Sequence, residues 1–155
     1  ADAAIAGVVE ASLLVELPRP WVAKIDKEKN RVYFHHRGLK GSVAVSWDHP
    51  LLRYFHRLIV TLRSAVAGGR TTPDALAHAL TPEFRRLVSS EALDELGGWV
   101  GPHTAGTKPT WHHEKTEQTR TDNPVDSTRN VLLAHHQVLA AAWRAAGCGG
   151  EPPIS

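Results

Sequence analysis

The sequence is poor in the residues that crosslink a chain or anchor it in a membrane. Among 155 residues there is one cysteine, Cys148. A lone cysteine excludes an intramolecular disulfide and the usual thiolate zinc sites, and it suits a reducing compartment. No apolar run reaches the roughly 18 residues that a membrane-spanning helix needs. We therefore expect a soluble protein with no membrane partner.

The chain also lacks a strong excess of charge of either sign. Its 18 basic and 16 acidic residues give a net charge of +2. This balance argues against a dedicated nucleic-acid binder. The charge is nevertheless uneven, because residues 17–50 carry seven bases and three acids, a local charge of +4. Any basic effect on a partner is therefore expected to be local.

Catalytic and metal-binding motifs are missing as well. The sequence contains no G-x-S-x-G, P-loop or G-x-G-x-x-G pattern and no H-E-x-x-H. Many of its ten histidines stand in adjacent pairs, and adjacent side chains point apart on a strand or a helix. We expect neither an enzyme, nor a metal site, nor a cofactor.

What the sequence does contain begins with helical periodicity. Apolar residues recur at helical spacing in residues 2–16, 51–67 and 127–146. Asp48 is predicted to cap the second of these helices, and two more helices are predicted to start at Thr72 and Thr81, the latter running toward Leu96. A basic face off the apolar stripe of the second helix comprises Arg53, Arg57 and Arg63. Candidate contacts for this face are phosphate, the acidic surface of tubulin, the acidic residues 83–96 and water.

Residues 17–50 have a different pattern, with strand-like stretches between prolines. Residues 21–26, 31–35 and 43–47 alternate in the manner of half-exposed strands, separated by polar turns. A sheet this small cannot make a thick core on its own. A proline ring packed on an indole buries a large flat area at small entropic cost. We therefore predict an aromatic buckle that holds the ends of the meander together: Leu17, Pro18, Trp21, Phe34 and Pro50.

These residues resemble the WW domain family, whose pattern is L-P-x-x-W, an aromatic pair in the second strand, then W-x-x-P. The matching residues are Leu17, Pro18, Trp21, Tyr33, Phe34, Trp47 and Pro50. The resemblance implies that Tyr33 and Trp47 form an exposed aromatic groove for a segment in the polyproline-II conformation. It places three further residues at that groove: Val45, His35 and Arg37.

Residues 99–129 show no apolar periodicity. Glycine, proline, threonine, histidine and charged residues dominate there, so the composition predicts a long extended arm. Trp99 and Trp111 stand isolated in it, and we expect them to anchor the arm in pockets of a partner protein. The predicted fold is α+β, a small WW-like three-stranded antiparallel meander with flanking helices and this arm. Its segments are residues 1–16, 17–50, 51–98, 99–129 and 130–155.

The main functional hypothesis is a non-catalytic scaffold subunit bound to other proteins of a large assembly. The run W-D-H-P leading into a helix is similar to the helix-flanked WW modules of centriolar and ciliary proteins, which implies a cytoplasmic location at the cilium, axoneme or microtubule cytoskeleton. One alternative is an adaptor that binds proline-rich peptides through Tyr33 and Trp47. Others are an RNA-associated subunit of a ribosome or spliceosome, and a mitochondrial location after removal of a leader.

Overall fold

The computed structural model of the chain describes residues 2–89, 97–104, 106 and 108–153, and it confirms the α+β class. Helices and sheets alternate along the chain. The helices are α1 (Asp2–Leu14), α2 (Leu52–Ala67), α3 (Pro73–Leu87) and α4 (Pro124–Ala145). The strands are β1 (Trp21–Asp26), β2 (Arg31–His36), β3 (Val45–Ser46), β4 (Trp99–His103), β5 (Thr110–His113) and β6 (Thr119–Arg120).

The chain divides into two compact units. The helical unit comprises Ala1–Glu16, Leu51–Ala92 and Leu132–Ser155, and the sheet unit comprises Leu17–Pro50 and Leu93–Val131. Each unit is therefore assembled from segments that are distant in sequence. Both sheets belong to the sheet unit.

The core of the helical unit includes the apolar stripe predicted for α2. On α2, Phe55, Leu58 and Leu62 are buried, as the periodicity of residues 51–67 predicts. The ring of Phe84 meets the Trp143 indole edge to face, with centroids 5.7 Å apart. The remaining fully buried aliphatic side chains of this unit are Val8, Leu51, Leu76, Leu80, Val138 and Leu139.

Of the two helix starts predicted after α2, the structure has the first and not the second. Thr72 caps α3 as predicted, because its hydroxyl accepts a 3.2 Å hydrogen bond from the Ala75 N–H. The second start at Thr81 is wrong, since α3 continues through Pro82. Burial of Leu80 and Phe84 on one stripe outweighs the missing proline N–H. The part of the predicted run at residues 90–96 lies outside the described residues.

The predicted cap of α2 is also wrong. The helix begins at Leu52 with Leu51 in the cap position, and no side chain caps it. Asp48 lies in the loop after β3 instead, where its backbone N–H donates to the Ser46 hydroxyl at 3.1 Å. This local hydrogen bond holds Asp48 in a turn, so its carboxylate does not cap the helix.

The first sheet is a three-stranded antiparallel meander in the order β1-β2-β3. The turn between β1 and β2 is stabilised by Asp26, whose Oδ1 accepts hydrogen bonds from the N–H groups of Glu28 and Lys29. Asn30 closes the turn with a φ of 49°. The third strand is shorter than predicted, because Gly41–Ala44 form a 3₁₀ turn.

The segment predicted to be an extended arm forms a second antiparallel sheet in the order β4-β5-β6. The arm prediction is therefore wrong. These strands have five, four and two residues and alternate weakly in polarity, which explains why the composition does not reveal them. Their backbone hydrogen bonds, rather than a hydrophobic stripe, define the sheet.

The two sheets repeat one arrangement. In each, a tryptophan begins the first strand and lies opposite a histidine that ends the second, Trp21 with His36 and Trp99 with His113. Both ring pairs meet edge to face with centroids 5.0 Å apart. Each histidine Nδ1 accepts a backbone N–H from two residues further on. The chain therefore contains two copies of one small structural unit.

Candidate functional site

The register of the first sheet decides which side chains share a face. Tyr33 lies opposite Lys24, and His35 lies opposite Val45. Side chains alternate along a strand, so these four residues point to one face, together with Trp47, two positions after Val45. We call this surface the groove face. It carries Val22, Lys24, Asp26, Arg31, Tyr33, His35, Val45 and Trp47.

Tyr33 and Trp47 form the aromatic centre of the groove face. Their ring centroids are 5.9 Å apart and the ring planes are inclined by 65°, an edge-to-face pair. Trp47 is 38% exposed, and Tyr33 is half-buried. The two side chains thus form an aromatic surface that is partly exposed.

Two cations lie against the Trp47 indole. The Lys29 Nζ is 4.9 Å and the Arg31 Cζ is 4.7 Å from the ring centroid. Contacts of this kind contribute about 0.5–1 kcal/mol at exposed sites. The groove face therefore combines aromatic surface with positive charge.

The other predicted groove residues lie beside this aromatic pair. Val45 is 49% exposed. His35 is half-buried, and its Nδ1 is buried without a hydrogen-bond partner among the residues described. Arg37 lies just beyond β2, where its backbone N–H donates to the Pro20 carbonyl at 3.2 Å. The fold brings Tyr33, His35, Val45 and Trp47 onto one face and leaves Arg37 at its margin.

The opposite face of the first sheet carries the predicted buckle. Trp21 and Phe34 share this face by strand alternation. The backbone N–H of Trp21 donates a 3.0 Å hydrogen bond to the carbonyl of Pro18, which is buried. This bond closes a turn before β1, and packing of the Pro18 ring on the indole stays a prediction. Leu17 and Pro50 are half-buried, and packing of Pro50 on Trp21 stays a prediction.

The second sheet repeats the buckle but not the groove. Equivalent buckle positions are Trp21 and Trp99, Phe34 and Trp111, and His36 and His113. At the groove positions, Thr110 stands where the first sheet has Tyr33, and Thr121 stands where it has Trp47. The aromatic pair therefore distinguishes the first sheet from the second.

The buried face of the first sheet contacts the end of the second sheet through Asp122. Its carboxylate accepts hydrogen bonds from the Arg120 guanidinium and from the Ser127 hydroxyl. The His36 Nε2 lies 3.8 Å from its Oδ2. The Arg120 guanidinium also lies over the Trp99 indole, 4.8 Å from the centroid. We call His36, Arg120, Asp122 and Ser127 the junction.

Burial and charge set the protonation of the junction. Burial lowers the pKa of His36, and the Asp122 carboxylate offsets only part of this effect. Burial would raise the pKa of Asp122, but hydrogen bonds from Arg120 and Ser127 hold it below its usual value. The Gly38 N–H donates to the His36 Nδ1 at 3.1 Å, and the Arg120 Nη2 lies 3.5 Å from the His36 Nε2, so donor groups face both ring nitrogens.

The junction does not have the geometry of a nucleophilic site. Its serine hydroxyl donates to Asp122, whereas a nucleophilic serine donates to a histidine base. The neighbouring cavity, lined by Trp21 and Leu39 among others, holds about 200 Å³, below the roughly 300 Å³ of typical ligand pockets. No metal-binding group of three or more ligand residues occurs within the described parts of the chain. The junction therefore joins two sheets.

The predicted partner anchors lie in the second sheet. The Trp99 indole meets His113 and the Arg120 guanidinium. Trp111 is half-buried and packs so close to Gly101 that a Cβ there would lie 3.0 Å from the indole Cδ1. Both indoles thus have contacts inside the chain, and insertion into a partner stays a prediction.

One arginine of the predicted basic face forms an ion pair, and the other two are exposed. The Arg57 Nε lies 3.0 Å from a carboxylate oxygen of the buried Glu83 on α3. Glu83, one acidic residue of the segment 83–96, is therefore a neighbour of Arg57, whereas residues 90–96 lie outside the described residues. Arg53 and Arg63 are exposed.

Comparisons with known proteins give no match. No protein-family model, no curated protein and no solved structure is similar to the chain at a significant level. Membership of the WW family therefore stays a prediction. None of the helices that the structure describes is long and apolar enough to cross a membrane.

Asp122 and Arg120 are not among the residues predicted from the sequence, although a signal for them is present. The stretch T-W-H-H at residues 110–113 repeats Y-F-H-H at residues 33–36. In the same order, T-D-N-P at residues 121–124 repeats W-D-H-P at residues 47–50, and each leads toward a helix. A search for internal repeats finds this pattern and with it the second sheet.

Proposed function

We propose that the chain is a non-catalytic adaptor that binds proline-rich segments on the groove face of its first sheet. The observation that carries the proposal is the exposed edge-to-face pair of Tyr33 and Trp47. A polyproline-II segment is already rigid before it binds, so stacking its rings on two aromatic side chains costs little conformational entropy.

The second sheet supports this function by its differences. It has tryptophans, Trp99 and Trp111, at the positions of Trp21 and Phe34, and threonines at the two groove positions. The aromatic pair thus distinguishes the first sheet from the second, as a binding role of the groove face requires. A partly exposed tryptophan on a small sheet is a typical centre of a binding surface.

Titration of the full chain with an oligoproline peptide tests the proposal. The five tryptophans give five indole N–H signals in a nitrogen–proton NMR spectrum, and the Trp47 signal is the one lost in Trp47→Ala. We expect saturable shifts of the Trp47 signal in the wild type and no saturable shifts in Trp47→Ala. Thr121→Ala is the matched control, since it changes the equivalent position of the second sheet.

Three results would contradict binding of proline-rich segments on the groove face. One is the absence of saturable shifts in the wild type. Another is shifts that persist in a folded Trp47→Ala variant. The third is an equal loss of binding in Thr121→Ala. The dispersion of the remaining indole signals shows whether each variant is folded, so a loss of binding can be separated from a loss of structure.

A second candidate function is a scaffold subunit of a ciliary or microtubule-associated assembly, in the cytoplasm. The observation that favours it is an apolar end of α1, where Leu13 is 80% and Leu14 is 75% exposed. Leu14 borders an open groove of about 580 Å³ between α1 and α4, lined also by Ala141 and Ala145. Exposed apolar surface of this kind marks protein contacts.

Location and fractionation test the scaffold function. We expect a tagged chain to co-sediment with the axonemal or microtubule fraction, and a Leu13→Glu, Leu14→Glu double variant to stay in the supernatant. The matched control is Val60→Glu, an exposed apolar position on α2. Wild-type protein found only in the supernatant would reject this second function without affecting the groove.

A further inference from the structure

The groove face carries an excess of positive charge that its own sheet leaves unpaired. Lys24 and Arg31 lie on this face, and Lys29 reaches it from the turn before β2. The carboxylate that faces Arg31 across the strands belongs to Asp26. Its Oδ1 accepts the N–H groups of the turn. Asp26 therefore stabilises the turn, and among the described residues it has no ion pair with Arg31.

The two cations at Trp47, Lys29 and Arg31, contact its indole ring. Within the described residues, no carboxylate lies within salt-bridge distance of Lys29 or Arg31. Both cations instead lie within 5 Å of the ring centroid. A cation whose contact is an exposed aromatic ring can turn to an incoming anion, because such a contact contributes only about 0.5–1 kcal/mol.

We propose that the proline-rich partner carries an aspartate or glutamate beside the proline that docks on Trp47, and that Lys29 and Arg31 bind this carboxylate. The inference rests on the proposed function of the groove face. Both cations lie at the Trp47 end of the aromatic pair. A polyproline-II chain rises about 3.1 Å per residue, so the acid belongs within about two residues of that proline.

The proposed contact also clears the aromatic surface. Lys29 and Arg31 now lie over the Trp47 ring, the same ring on which a proline would stack. When they turn toward a carboxylate, they leave indole surface to the proline. An acidic partner is therefore favoured for two reasons. Its carboxylate attracts the two cations, and their movement leaves the Trp47 ring to the proline.

Calorimetric titration of the full chain with three peptides tests the inference. The peptides share one proline core and carry a flanking glutamate, glutamine or lysine. At low salt we expect the glutamate peptide to bind about tenfold more tightly than the glutamine peptide, and the lysine peptide to bind most weakly. The difference should shrink at high salt because these charges are exposed.

The variant Lys29→Gln, Arg31→Gln identifies the residues responsible. We expect it to bind the glutamate and glutamine peptides equally. The matched control is Lys27→Gln, Lys40→Gln, which removes the same charge from exposed positions of the same segment and should keep the preference. Loss of the preference in the control as well would assign it to overall charge and overturn the inference.

The failures of the two proposals are distinguishable. If none of the three peptides binds, the groove itself is not a proline-binding site. If all three bind equally, the groove binds proline and only the acidic preference is wrong. A glutamate preference that survives in Lys29→Gln, Arg31→Gln would also overturn the role of these two cations.

Discussion

His36 and Asp122 face each other where the two sheets meet, with the imidazole Nε2 3.8 Å from the carboxylate Oδ2. His36 ends β2 and Asp122 follows β6. A few residues further along the first sheet, the carbonyl of Gly38 accepts a 3.0 Å hydrogen bond from the Thr121 N–H. The two copies of the meander are thus joined by side chains and by backbone at neighbouring points.

We predict that Asp122→Asn destabilises the protein by about 2 kcal/mol, because the Arg120 guanidinium loses its ionised partner in a mostly buried setting. The measurement is the urea midpoint at pH 7. Asp48→Asn is the matched control, since Asp48 is the equivalent residue after the first sheet and is exposed. Its effect should stay within about 0.5 kcal/mol. Equal losses in the two variants would remove the special role of Asp122.

We predict that Gly38→Ala destabilises the protein by about 1–3 kcal/mol, because the added Cβ would overlap the Asp122 carboxylate. Chemical denaturation measures the effect. Asp122→Gly removes both the carboxylate and the Asp122 Cβ, which would itself lie 2.7 Å from the new methyl group, so in that background the same substitution should cost less. Gly149→Ala, at a position with nothing within 4 Å of a new Cβ, is the control. Additive losses in the double variant would contradict the proposed overlap.

The first sheet could be predicted from the sequence because its strands alternate and its turns contain turn-forming residues. Trp21–Asp26 is paired over the predicted range. The second sheet could not be predicted from alternation, because its strands are short and its pairing depends on backbone hydrogen bonds. The helix start predicted before Pro82 is wrong because tertiary burial of the neighbouring residues keeps α3 continuous. Asp122 could not be predicted as a junction residue, because alternation within one strand does not show which distant segments come together.

Protonation of His135 should weaken the helical unit in acid. Burial lowers the pKa of His135 to about 4, and its ring stacks on Tyr54 with centroids 3.8 Å apart. The unfolded chain takes up this proton near the ordinary pKa of about 6.5, so stability falls as the pH drops from about 6.5 toward 4. His135→Phe keeps the stack and cannot titrate. We expect it to remove about 1–3 kcal/mol of the loss in unfolding free energy measured between pH 7 and 4.

His78→Gln is the control for this pH dependence, because His78 is exposed on α3. It should leave the pH profile of the urea midpoint unchanged. The His36 at the junction contributes with the same sign, since burial lowers its pKa too. Some acid sensitivity therefore remains in His135→Phe. A profile identical to the wild type would show that His135 is not buried in its neutral form.

The ion pair between Arg57 and Glu83 should respond unequally to loss of either partner. The Glu83 side chain is 9% exposed and that of Arg57 is 40% exposed. Arg57→Ala leaves a buried carboxylate unpaired and should lower the free energy of unfolding by about 2 kcal/mol. After Glu83→Gln the arginine can turn to water, so the loss should be about half of that. Urea unfolding measures both, with exposed Arg53→Ala as the control. Equal costs would mean that the carboxylate is solvated rather than buried.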